Sequence, residues 1–219
     1  MNDEINTGER LFTPKNKVFT VLFWVCGIIL TAYIVFLLLF AFVPIIGESM
    51  ENTVFDGEYC FVQRNFFSVE RGDIVTVNTA DKSEEEHSII KRVIGTSEDK
   101  ILFMLTENGK NVDLYICKSG EKKYSLLDEP YIKEKMIPDY LNREHKVFTN
   151  VKVSDYIAGI EKIDVTGNDD KLILISECVI NVPKNSVFVL GDNRNLSRDG
   201  RYYGAFALNK VTSKILTVI

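Results

Sequence analysis

Residues 18–43 read VFTVLFWVCGIILTAYIVFLLLFAFV, and Pro44-Ile45-Ile46-Gly47-Glu48-Ser49-Met50 follows directly. The run holds 26 residues without a charge or a proline. As a helix rising ~1.5 Å per residue it reaches ~39 Å, more than the ~30 Å hydrocarbon layer of a bilayer, so it can cross with room to tilt. A secretory leader would have a shorter apolar core and small residues at its cleavage point, which Val43-Pro44-Ile45-Ile46-Gly47-Glu48 does not offer. An uncleaved anchor is expected over 18–43, preceded by a tail over 1–17.

Basic residues orient the span. Arg10, Lys15 and Lys17 lie before it, whereas Arg64 is the first basic residue after it. The tail is therefore expected in the cytoplasm and the rest of the chain outside. Roughly 175 residues remain beyond the span, enough for one domain with a real core, or a smaller core carrying an insertion. A net charge of −5 and the lack of a basic patch interleaved with aromatics argue against nucleic acid as a partner. Cys26, Cys60, Cys117 and Cys178 include no Cys-x-x-Cys pair, and only three of them lie outside the span, so at most one disulfide could form there. His87 and His145 are the only histidines and no His-Glu-x-x-His spacing occurs, so no metal and no cofactor are expected.

Beyond the anchor the pattern is of strands. Tyr59–Gln63, Asp73–Asn78, Ser88–Ile94 and Ser186–Leu190 are short, rich in Val, Ile, Phe and Tyr, and bounded by Gly, Asp or Asn. Phe55-Asp56-Gly57-Glu58 and Glu70-Arg71-Gly72-Asp73 fall between strands as tight turns. From Thr96 to Val179 the chain is more polar and irregular, with a turn expected over Lys118–Lys123 and a short helix over Tyr131–Arg143 broken at Pro138. The fold class expected is mostly β: a transmembrane helix, then an antiparallel β-rich domain with halves at 44–95 and 180–219 and an inserted subdomain at 96–179.

Two residues stand out chemically. Ser49 lies six positions past the span, flanked by Glu48 and Met50. Strand alternation points Lys91 to the face shared with Ile89 and Val93 and turns Arg92 away. A lysine on an apolar face can simply snorkel, covering core with its stem. It can also serve a serine as base if burial lowers its pKa from ~10.4 to near ~7.5, a bias of ~4 kcal/mol against the charged form. A carboxylate in contact would undo that, so Asp192 and Asp199 are not expected to pair with Lys91. The run Gly191-Asp192-Asn193-Arg194-Asn195-Leu196-Ser197-Arg198-Asp199-Gly200-Arg201 suits either an ordinary charged turn or a salt-bridged brace.

In order, the anchor, Gly47-Glu48-Ser49-Met50, Arg71-Gly72-Asp73-Ile74-Val75, Lys91-Arg92-Val93-Ile94-Gly95, Asp128-Glu129-Pro130-Tyr131-Ile132 and the Gly191–Arg201 run followed by Gly204 resemble the bacterial type I signal peptidases. These are membrane-anchored Ser/Lys proteases that act on exported preproteins. The resemblance implies Ser49 as nucleophile and Lys91 as general base, with Ser197 orienting the amine. It implies Asp199, Arg92 and Arg201 as braces, with Asp192 and Asn193 in the same supporting loop. Ile45, Ile46, Gly47, Met50, Val54 and Ile90 would line shallow pockets for small side chains, and the Ser49 N–H would serve the oxyanion. Where family members often place a second oxyanion hydroxyl, this chain has Gly47. The family usually reads Ser-Met-x-Pro-Thr, but here Asn52 replaces the proline; Asn195 and Gly200 depart similarly from an acid and a serine. The spacing of 42 residues between Ser49 and Lys91 fits the compact Gram-positive type.

Three other readings compete. A Ser49/His87 pair would parallel the peptidase of the endoplasmic reticulum. A cytosolic self-cleaving repressor shares the dyad but has no span. A noncatalytic assembly factor, as in pilus biogenesis, would keep the fold without the chemistry.

Overall fold

The computed structural model describes residues 17–80, 88–105, 110–137 and 178–219. Helix α1 covers Lys17–Leu39 and buries none of its side chains. Its 23 residues reach ~35 Å, still longer than the hydrocarbon layer. The apolar run nevertheless outlasts the helix: Phe40–Pro44 forms strand β1. Phe40-Ala41-Phe42-Val43 suits lipid and sheet equally, because aromatic and β-branched residues favour both settings.

Residues 41–219 form a separate compact unit. Its strands are β2 (Tyr59–Gln63), β3 (Ile74–Asn78), β4 (Ser88–Gly95), β5 (Lys100–Leu105), β6 (Val112–Cys117), β7 (Ser125–Leu126), β8 (Cys178–Asn181), β9 (Ser186–Leu190), β10 (Phe206–Ala207) and β11 (Val211–Val218). One short helix, α2, covers Gly200–Tyr203. A seven-stranded sheet runs β1-β2-β11-β3-β4-β9-β10, and a four-stranded sheet runs β7-β6-β5-β8. The pairings β2–β11, β11–β3, β3–β4 and β4–β9 are antiparallel, as are β5–β6 and β5–β8. All strands of the smaller sheet fall between β4 and β9 in the chain, and β8 runs past the boundary expected at 179.

The two sheets share a core. Ile94, Phe188 and Leu190 pack against Ile101, Phe103, Leu114, Ile116 and Ile180. A second cluster under the larger sheet joins Val75, Val77, Ile89, Val93, Val187, Val189 and Phe206. Each such fully buried side chain contributes ~1.5–3 kcal/mol relative to leaving it in water. The reversals at 55–58 and 70–73 close as expected, through Glu58 N–H to Phe55 O at 3.3 Å and Asp73 N–H to Glu70 O at 3.2 Å. Lys118–Glu121 also turns, with a 2.9 Å bond between its ends. Residues 131–137 are not helical; Met136 instead bridges to Val112. The remainder of that expected helix, residues 1–16 of the tail and His87 lie outside the described residues. Cys60 and Cys117 are free buried thiols.

Candidate active site

Strand pairing builds the site. Val75 faces Lys91 across β3–β4, and Arg92 faces Leu190 across β4–β9. Since Leu190 ends β9, the loop beginning at Gly191 emerges beside Lys91. The turn carrying Ser49 arrives from β1. Gly47 adopts φ +97°, a backbone conformation suited to glycine, and its N–H donates to Asp56 Oδ1 at 2.7 Å. Thr53 and Val54 N–H groups both donate to Met50 O at 2.8 Å, curling residues 50–54 into a tight turn.

In this arrangement Lys91 Nζ lies 2.6 Å from Ser49 Oγ and donates to Ile90 O at 2.9 Å. Lys91 is 3% exposed, while Ser49 is half-buried. Alternation along β4 holds, with Ile89, Lys91 and Val93 buried and Ile90 and Arg92 partly so.

Both carboxylates of the loop are taken up by arginines. Arg92 grips Asp192 at two points, Nε to Oδ1 at 2.8 Å and Nη2 to Oδ2 at 2.6 Å, and the Thr53 hydroxyl also donates to Oδ2. Asp199 and Arg201 are fully buried and paired, Nε to Oδ1 at 2.9 Å and Nη2 to Oδ2 at 2.8 Å. The Gly191 N–H donates to Asp199 at 3.0 Å. Burial pushes the Asp199 carboxyl up, but the Arg201 guanidinium and these hydrogen bonds outweigh it and hold the group at about 2. Arg201 Nη2 also reaches Arg194 O at 2.8 Å, so the loop folds around its own ion pair.

Ser197 departs from expectation. Its hydroxyl is buried at the site and has no hydrogen-bond partner among the described residues, the lysine amine included. It lies near enough to Asp199 to favour that carboxylate's charged form slightly, without hydrogen-bond geometry. Asn193 does serve the turn, donating its N–H to Ser49 O at 3.1 Å and Nδ2 to Glu48 O at 3.2 Å. The expected apolar lining divides. Ile45, Met50 and Val54 are buried with Cys60 and Val62 as core beneath the turn, because a tight reversal here needs an apolar anchor, and so they cannot line an open pocket. Ile46, at 88% exposure, the exposed Gly47 and the partly buried Ile90 remain accessible.

Several residues had no role read from sequence. Arg194 is buried, grips the Glu129 carboxylate with both terminal nitrogens and donates Nε to Gly191 O at 3.0 Å. The Tyr131 hydroxyl donates to Glu129 at 2.8 Å, and its ring lies 3.9 Å from the Arg92 guanidinium. Burial and the neighbouring Glu129 charge push the Tyr131 hydroxyl well above its ordinary value, so it stays a donor. The Asp128–Ile132 motif was the available signal, but nothing in it named Arg194 and Arg92 as partners. Gly191 is a further such case: a Cβ there would lie 2.5 Å from the Ser49 carbonyl oxygen.

A buried amine against a serine hydroxyl, braced by two arginine–carboxylate pairs, can move a proton off that hydroxyl. The pattern of the signal peptidase family, peptidase S26, matches residues 18–219. Signal peptidase IB of Staphylococcus aureus is 31% identical over 201 residues, covering 90% of this chain and 81% of its own. Signal peptidase I of Bacillus licheniformis is 30% identical over 201 residues, covering 89% and 84%. A crystal structure of a signal peptidase I from Enterococcus faecalis aligns at 21% identity and a TM-score of 0.36, over 70% of this chain and all of its own. With the family pattern running from the anchor to the last strand, and relatives matched over most of their length, the chain belongs to the signal peptidase family, peptidase S26.

Proposed function

We propose that this chain removes signal peptides from exported preproteins as a membrane-anchored serine endopeptidase, with Ser49 as nucleophile and Lys91 as general base. The 2.6 Å approach of the buried Lys91 amine to Ser49 Oγ is the observation that carries this reading. Family membership supports the protease activity. The basic residues before the span favour a cytoplasmic amino terminus and a catalytic domain outside.

Lys91 is buried, and in its neutral form its amine can accept a proton. Ser49 Oγ attacks the scissile carbonyl carbon as its proton passes to Lys91 Nζ, and the Ser49 N–H supports the developing oxyanion. Collapse breaks the C–N bond, and the same proton leaves Lys91 for the departing amine. Water then attacks the ester carbonyl carbon as its proton passes to Lys91; collapse breaks the C–O bond to Ser49, and the proton returns from Lys91 to Ser49 Oγ, which frees the acid product. Substrate lies extended along the surface near Ile46, Gly47 and Ile90, where shallow space favours small side chains. Holding enzyme and preprotein in one bilayer raises their effective concentration, so tight intrinsic binding is not required.

The test is processing of a purified precursor in detergent. Ser49→Ala, Lys91→Ala and Lys91→Arg should each abolish it, the last because guanidinium stays charged. Full activity of Lys91→Arg would remove Lys91 as the base.

A further inference from the structure

The turn that carries Ser49 and the loop that begins at Gly191 are laced together in both directions. From the loop, Asn193 donates to Ser49 O and Glu48 O, and Asp192 N–H approaches Met50 Sδ at 3.4 Å. From the turn, Asn52 Nδ2 donates to Asp192 O at 2.9 Å, and Thr53 binds the Asp192 carboxylate. Bonds to Glu48 and Ser49 alone would still let the rest of the turn pivot about them. The bond from Asn52, three residues further along the turn than Ser49, supplies a second point of attachment that opposes that motion.

We propose that Asn52 is a positioning residue for the nucleophile: its side-chain amide pins the turn to the Asp192 carbonyl and so sets the separation of Ser49 Oγ and Lys91 Nζ. Asp192 is a firm anchor because Arg92 grips its carboxylate at two points. Asn52 is partly buried, so water competes only in part for the bond. A proline at this position would stiffen the turn through its backbone but has no donor for the Asp192 carbonyl. Here a side-chain hydrogen bond does the positioning.

The inference rests on Ser49 and Lys91 as the reacting pair, and its test separates the two ideas. Full-length enzyme in detergent is assayed on a purified precursor, with Asn52→Ala and Asn52→Asp beside Ser49→Ala. Asn52→Ala should lower kcat roughly fivefold to tenfold, the effect of one lost hydrogen bond, with KM within about twofold. Asn52→Asp keeps the shape but sets an acceptor against the Asp192 carbonyl, so its kcat should fall further than that of Asn52→Ala. Acylation of Ser49 by a small serine-directed probe should slow in parallel, because the probe needs the nucleophile and not the substrate groove. Wild-type kcat in Asn52→Ala, or a loss confined to KM or to Tm, overturns the positioning role alone. An active Ser49→Ala enzyme overturns the reading beneath it.

Discussion

Replacing Gly191 by alanine should disable the site from outside the reacting pair. A Cβ at this position would lie 2.5 Å from the Ser49 carbonyl oxygen, whereas ordinary contact begins near 3.4 Å. The turn or the loop must therefore retreat by about 0.9 Å, the difference between these two distances. Neither yields cheaply. The turn is tied to the core through Met50 and Val54, and the loop through the Asp199–Arg201 pair. A displacement of ~1 Å from productive geometry costs on the order of 100-fold in rate. Overpacking should also cost ~1–3 kcal/mol of stability, little enough to leave the domain folded. The same Cβ would crowd the Ser197 side chain, so Gly191→Ala is compared with Gly191→Ala/Ser197→Ala. The double variant removes the hydroxyl but leaves the Ser197 Cβ at 2.6 Å and the Ser49 carbonyl oxygen at 2.5 Å, and its kcat should stay low. Activity of Gly191→Ala within about threefold of wild type, at unchanged Tm, would refute this account of how loop and turn are spaced.

Asp199→Asn should destabilise the domain by ~3–5 kcal/mol in denaturant titrations, because it leaves the buried Arg201 without its counter-charge. The pH dependence follows from the same pair. Held at about 2 when folded, against ~3.9 when unfolded, the Asp199 carboxyl stabilises the fold fully above ~pH 4, and that contribution disappears as pH falls toward ~2. Unfolding followed across that interval should show roughly 2–3 kcal/mol less acid sensitivity in Asp199→Asn than in wild type. Glu129→Gln should weaken the hold on Arg194 and lower Tm, with a smaller loss of kcat than Gly191→Ala, since Arg194 keeps its bond to Gly191 O. Tyr131→Leu removes the ring beside Arg92 and should cost ~0.5–2 kcal/mol, read by chemical denaturation.

Much of the larger sheet was legible. Tyr59–Gln63 and Ser186–Leu190 are strands with the expected ends, because glycine, aspartate or asparagine brackets a β-branched or aromatic run at each. The smaller sheet was harder to see. Ile101, Leu102 and Phe103 are all buried, so β5 lacks the alternation that marks a half-exposed strand, and polar turns around it dominate the local composition. Strand β11 was hidden for another reason: its register slips between Ile215 and Thr217, breaking the period of two. At the site, residue types were readable but their partners were not. The sequence exposed Asn52 as a missing proline, yet nothing local said that its amide meets a carbonyl 140 positions away. Arg194 and Glu129 likewise become a pair only when the fold brings the inserted segment beside the loop. Burial also decided what periodicity could not: Met50 and Val54, one and five residues after Ser49, belong to the core and not to a groove.

In the proposed mechanism Lys91 takes the proton from Ser49. That step is tested most directly by following covalent trapping of the full-length enzyme with a serine-directed acylating probe, using mass mapping of wild type and Lys91→Met. Methionine keeps the length and burial of the lysine stem but has no basic nitrogen. The label should appear on Ser49 in wild type and form at least ~100-fold more slowly in Lys91→Met, the scale of a lost general base. A label on another residue, or an equal rate of Ser49 acylation in the two proteins, would contradict it.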